Sequence, residues 1–175
     1  MAHIKRIDEM AGAENGAVRM VKMLTEISSG RQKEMYQQMS KDLVPIECTP
    51  LSEIFTDDEI KAIKHIVRPK MKGCYENAYH FASRMQEVLG KEILYCEGYM
   101  NSFGLPIEHA FNKVDGKYVD ITAELILGDD VTKSEYTLIG EWDERTALKA
   151  MTVDGCYGCV YQKLYMMSHK DEIKN

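Results

Sequence analysis

Apolar residues recur at helical spacing over the first forty positions, through Ile4, Ile7, Val18, Val21, Leu24 and Ile27. Gly12 and Gly16 interrupt that pattern, and Ser28-Ser29-Gly30 offers a second break. Met35 and Met39, four apart, continue one face of a further helix. Pro45 and Pro50 then bracket an extended connection. Thr56-Asp57-Asp58-Glu59 reads as a capping box that opens a short helix through Ile60, Ile63 and Ile66, with Pro69 as its stop. From Cys74 the pattern predicts a strong helix to Leu89, with Gly90 ending it. Its apolar face comprises Ala78, Phe81, Ala82, Met85, Val88 and Leu89.

The period then changes. Ile93 to Met100 and Ile107 to Val114 are strand-like, and Asp115-Gly116 is a two-residue hairpin signal that returns the chain along Lys117 to Thr122. Tyr136 to Ile139 adds a strand, and Glu144 to Met151 and Val160 to Met167 read as helices. Helices followed by an antiparallel sheet define an α+β protein. The 175 residues suit one domain: a helical extension over 1–68, a core over 69–125, and a strand with helices over 126–175.

Composition narrows the functional classes. The chain is 45% hydrophobic and 29% charged, with a net charge of −6, which gives no reason to expect nucleic acid or an anionic membrane as partner. No stretch is apolar enough for a signal or a membrane span, so the expected compartment is the cytoplasm. Five cysteines and no export signal argue for free thiols rather than a disulfide framework. The twelve methionines fit core and interface packing. No feature specifies an oligomeric state.

Cys74 is the thiol with chemistry around it. At a helix start, amides and dipole favour a negative charge, which lowers a thiol's pKa. Gly73 permits close approach there. By itself a Gly-Cys pair more often marks a small buried residue. The hairpin register alters that balance. With a two-residue turn at Asp115-Gly116, Phe111 faces Asp120, and His109 shares a face with Asp120 as its diagonal neighbour. A carboxylate beside an imidazole orients it, leaving the other ring nitrogen to serve a nucleophile. Glu108 points to the opposite face and reads as a solvated or paired carboxylate.

Gly73-Cys74 opening a helix with Ala78 resembles the nucleophile segment of transglutaminase-like cysteine enzymes, related to papain. His109-Ala110-Phe111 followed by Asp115-Gly116-Lys117-Tyr118-Val119-Asp120-Ile121-Thr122 is similar to that superfamily's histidine and aspartate segments. The resemblance spans residues 70 to 125. It implies Cys74 as nucleophile, His109 as base then acid and Asp120 as orienter, on a core with the nucleophile-bearing helix packed against an antiparallel sheet. Phe111 stands where tryptophan is usual, Ile121 where proline is usual, and Lys72-Gly73 replaces a more apolar lead-in.

The implied activity is acyl transfer on a peptide, protein or small amide, with hydrolysis preferred over transfer to an amine and no metal or organic cofactor required. A non-catalytic binding module on the same scaffold is the alternative. The Cys74 amide is the natural first donor to an oxyanion, with Asn77, Tyr99 and Asn101 as candidate second donors or pocket residues. Cys156-Tyr157-Gly158-Cys159 lacks the second ligand pair of a zinc site, having only His169 nearby, and lacks a thioredoxin-like setting. It reads as packing at a turn into the last helix. His3, His65, His80 and His169 read as structural or exposed.

Overall fold

The computed structural model describes residues 15–102 and 104–169. The expectations at His3, Ile4, Ile7 and Gly12 fall outside them. The first described helices are α1 (Gly16–Ile27) and α2 (Gly30–Asp42), separated at Ser28-Ser29 as the sequence predicts. A short strand β1 (Val44–Ile46) follows, then α3 (Asp57–Val67). The Thr56 hydroxyl caps α3 by accepting from the Glu59 amide, while Glu59 accepts from the Thr56 amide. Helix α4 (Cys74–Leu89) ends on Gly90, which takes a left-handed conformation at φ 61°.

Strands β2 (Ile93–Ser102) and β3 (Leu105–Val114) form a long antiparallel hairpin. β4 (Lys117–Val119) returns across Asp115-Gly116 in the expected register, with Val114 opposite Lys117. It stops at Val119, short of the predicted Thr122, because Asp120 turns the chain into a helical turn at Ala123–Leu127. β5 (Glu135–Trp142), α5 (Glu144–Met151) and α6 (Val160–Ser168) complete the described order. The protein is α+β, with an antiparallel sheet of order β1-β5-β2-β3-β4. No helix of the described residues is long and apolar enough to cross a membrane.

The two faces of the sheet are covered differently. Helix α4 lays Ala78, Phe81, Ala82 and Met85 on Ile93, Tyr95, Ala110 and Val114, and α5 and α6 extend that layer. Val88, counted in the predicted apolar face, is exposed. Helices α1 and α2 pack beside them around the strand residue Tyr99. On the other face Cys96, Met100, Phe111 and Tyr136 are covered by Cys48, Ala123 and Val131. β5 slips register between Glu97 and Gly98 of β2. A Cβ at Gly98 would lie 2.0 Å from the Thr137 carbonyl oxygen, so only glycine fits that approach.

Candidate functional site

The site forms where α4 begins beside the outer edge of β3. Because β4 pairs only with Asn112–Val114, no described strand pairs with β3 on that side from Leu105 to Phe111. In this register Val114, Asn112, Ala110 and Glu108 turn their amides outward, away from β2. The first turn of α4 stands at this gap. His109 and the Ala110 and Tyr75 amides act on the Cys74 thiol there, each lowering its pKa.

Helix α4 and His109 belong to opposite faces of the sheet. The early end of β4 is what lets them meet, around the exposed edge. The cap of α4 contributes too. Gly73 provides no side-chain acceptor, unlike Thr56 at α3, so no cap side chain competes for the first amides of α4. Cys74 is half-buried, whereas Cys48 and Cys96 are buried.

His109 is buried, and its Nε2 lies 2.6 Å from Oδ2 of Asp120. That geometry leaves Nδ1 as the ring nitrogen for the sulfur. Asp120 is wholly buried and fully engaged. Its Oδ1 accepts from the amides of Thr122 and Ala123, both at 2.9 Å, and its Oδ2 accepts from the Tyr136 hydroxyl at 3.0 Å as well as from His109. The carboxylate thus closes the turn after β4 and orients the ring with the same four bonds.

Electrostatics favour an ion pair. Burial disfavours the imidazolium, but the Asp120 charge and hydrogen bond, aided by Cys74, outweigh it and push the His109 pKa up to about 10. Burial likewise raises the Cys74 thiol, but His109 and the two amides overcome it and leave the pKa below the ordinary thiol value. Burial pushes Cys48 and Cys96 far upward. The arrangement therefore shifts the pair toward thiolate and imidazolium.

The structure brings Cys74, His109 and Asp120 together. Asn77 sits one turn along α4, but its amide is committed elsewhere: Nδ2 donates to the Lys70 carbonyl at 2.9 Å and to Oγ1 of Thr122 at 3.1 Å, and Oδ1 accepts from the Lys70 amide. It ties the start of α4 to the turn that Asp120 closes. Tyr99 is buried under α1 and α2, its hydroxyl 3.9 Å from Sδ of Met39. Asn101 donates to Glu135 at 2.8 Å. None of these three side chains is aimed at the sulfur; the open amides at the start of α4 are the donors beside it.

Sequence reasoning missed Tyr136, Thr122 and Glu97. Thr122 lay within the recognised segment, two residues after Asp120, a spacing typical of a carboxylate bonding its own downstream amide. Tyr136 had no signal beyond strand propensity. Glu97 is buried and caps α6 from a distance, accepting from the Val160 and Tyr161 amides at 3.0 and 3.2 Å and from the Tyr95 hydroxyl at 2.7 Å. A small cavity beside Tyr75 is walled by Glu97, Gly98, Glu108, Cys159 and Tyr161. Cys159 is the half-buried N-cap residue of α6, at the turn the sequence predicts for that motif, but Cys156 is exposed rather than packed. Among the described residues, no cluster of His, Cys, Asp or Glu could hold a metal ion. No protein-family model matches the chain, and comparison with curated proteins and with solved structures finds no match.

Proposed function

We propose that the chain is a cysteine acyl-transfer enzyme on a papain- or transglutaminase-like core, hydrolysing an amide or peptide bond through a thioacyl intermediate. One observation carries this reading. The Asp120 carboxylate holds His109 at 2.6 Å, and the same imidazole lowers the pKa of the Cys74 thiol, which is half-buried at a helix start without a side-chain cap. A packing cysteine needs none of this.

The steps follow from the geometry. The Cys74 thiolate attacks the substrate carbonyl, forming a carbon–sulfur bond and placing negative charge on the carbonyl oxygen. The Cys74 amide, with its neighbours at the start of α4, stabilises that oxygen. The tetrahedral intermediate collapses, the carbon–nitrogen bond breaks, and the imidazolium of His109 gives its proton to the leaving amine. Neutral His109 then takes a proton from water, whose oxygen attacks the thioester. The acid leaves, and the thiolate–imidazolium pair is restored. Asp120 keeps the ring oriented and balances its charge throughout.

The test is acylation by p-nitrophenyl acetate. A burst of nitrophenol should accompany an acetyl adduct on Cys74 that hydroxylamine removes, and both should vanish in Cys74→Ala. Equal nitrophenol release from Cys74→Ala, with no adduct on Cys74 in the native protein, would contradict the reading.

A further inference from the structure

We propose, resting on the acyl-transfer reading above, that the substrate is an extended polypeptide segment that adds to the open edge of β3 and carries a basic residue beside Glu108. Cys74 lies against a strand whose outer side no described strand pairs before Asn112. β3 runs from Leu105 to Val114, yet β4 covers it only from Asn112 onward. The register fixes which groups are free. Leu105, Ile107 and His109 exchange hydrogen bonds with β2, so Pro106, Glu108 and Ala110 face outward. The Ala110 amide faces the Cys74 thiol. The next outward residue, Glu108, offers an amide and a carbonyl that no described backbone group bonds, and Pro106 offers a carbonyl alone.

Such an edge is a template for one more strand. A chain paired with Glu108 passes the sulfur one pairing step, two residues, further along. An edge strand leading directly to a thiolate therefore aligns a peptide bond with it using main-chain contacts alone.

The side chains define what the edge takes. Glu108 is exposed, and its carboxylate meets only the Tyr75 hydroxyl, at 3.5 Å, among the described residues. No described cation pairs with it. Its neighbours in the adjoining cavity include Tyr75, Tyr161 and the buried Glu97, and no Lys or Arg of the described residues lines that space. A residue placed opposite Glu108 in the added strand emerges on the same face, beside this carboxylate, where a Lys or Arg forms a cross-strand ion pair. On the opposite face Leu105 and Ile107 are exposed at 69% and 43%, apolar surface that the alternate residues of an added strand would cover. The net charge of −6 favours approach of a basic chain.

The experiment is protection of Cys74 from iodoacetamide, followed by peptide mass mapping. Three capped pentapeptides are compared at millimolar concentration: alternating Ala and Lys, the same with norleucine for Lys, and the Lys peptide with N-methylated backbone amides. The expected result is that the Lys peptide slows alkylation several-fold, the norleucine peptide less, and the N-methylated peptide not at all. Glu108→Gln should abolish the difference between Lys and norleucine. If Cys74 is selectively alkylated but the Lys peptide gives no protection, or the N-methylated peptide protects equally, the edge proposal is overturned while the acyl-transfer reading stands. If Cys74 reacts no faster than Cys156, both fall.

Discussion

Four hydrogen bonds converge on the Asp120 carboxylate, and at the residue scale this makes it the position least tolerant of change. Asp120→Asn keeps the size but removes the charge that stabilises the imidazolium. Its ester hydrolysis should fall on the order of 100-fold or more, with the Cys74 adduct forming slowly; wild-type rates in this variant would rule Asp120 out as the orienter. Tyr136→Phe removes one bond to that carboxylate and nothing of its charge. Urea denaturation should show a loss of about 1.5–3 kcal/mol, as for a hydrogen bond to a charged group. No loss would mean that the 3.0 Å contact is not maintained in solution. Cys74, His109 and Asp120 were legible because each obeys a short-range rule: a helix start for one, hairpin parity for the other two. Tyr136 was not legible, because it joins Asp120 from across the sheet and no local pattern encodes that meeting.

At the scale of elements, the contrast between two helix starts organises the site. α6 has no side-chain cap of its own and receives Glu97 from β2, while α4 is left uncapped beneath the sulfur. β5 slips register against β2 beside Glu97, where Gly98 admits the close approach of Thr137. Glu97→Ala should leave the Val160 and Tyr161 amides and the Tyr95 hydroxyl without their acceptor. The loss should be about 1–3 kcal/mol, and hydrogen exchange at Val160 and Tyr161 should accelerate while β2 and β3 stay protected. Unchanged exchange at those two amides would show that the cap is dispensable. Most element boundaries could be read from capping residues: Thr56 and Glu59 open α3, and Gly90 closes α4. β4 was overextended because alternation continues through Ile121, whereas the Asp120 turn, a side-chain effect, ends the pairing.

At the scale of the whole molecule, α4 is both the carrier of Cys74 and the main cover of one sheet face. Its two ends serve these roles separately. Phe81 is completely buried two turns from Cys74, against Phe55 at 6.1 Å between ring centroids. Phe81→Ala should cost about 3–5 kcal/mol through lost burial and a cavity, seen as a lower denaturation midpoint, while the folded fraction keeps the native pH dependence at Cys74. A changed pH dependence would mean that the first turn of α4 depends on packing farther along the helix. The α+β layering was legible from the change of hydrophobic period after Gly90. The order of strands was not, since it depends on β5 inserting between β1 and β2, a long-range pairing with no local signature.

The central claim is that Cys74 and His109 form a thiolate–imidazolium pair. Asp120 raises the His109 pKa to about 10 and His109 lowers that of Cys74, so the reactive pair occupies a window. It is lost below the Cys74 pKa, where the thiolate gains a proton, and changes again above about 10, where the imidazolium loses one. The most direct measurement is the rate of Cys74 alkylation by iodoacetamide as a function of pH, in the native protein and in His109→Ala. The account predicts a midpoint clearly below that of a free thiol, near 8.5, moving upward in His109→Ala. A native midpoint at the free-thiol value, unchanged by His109→Ala, would contradict it.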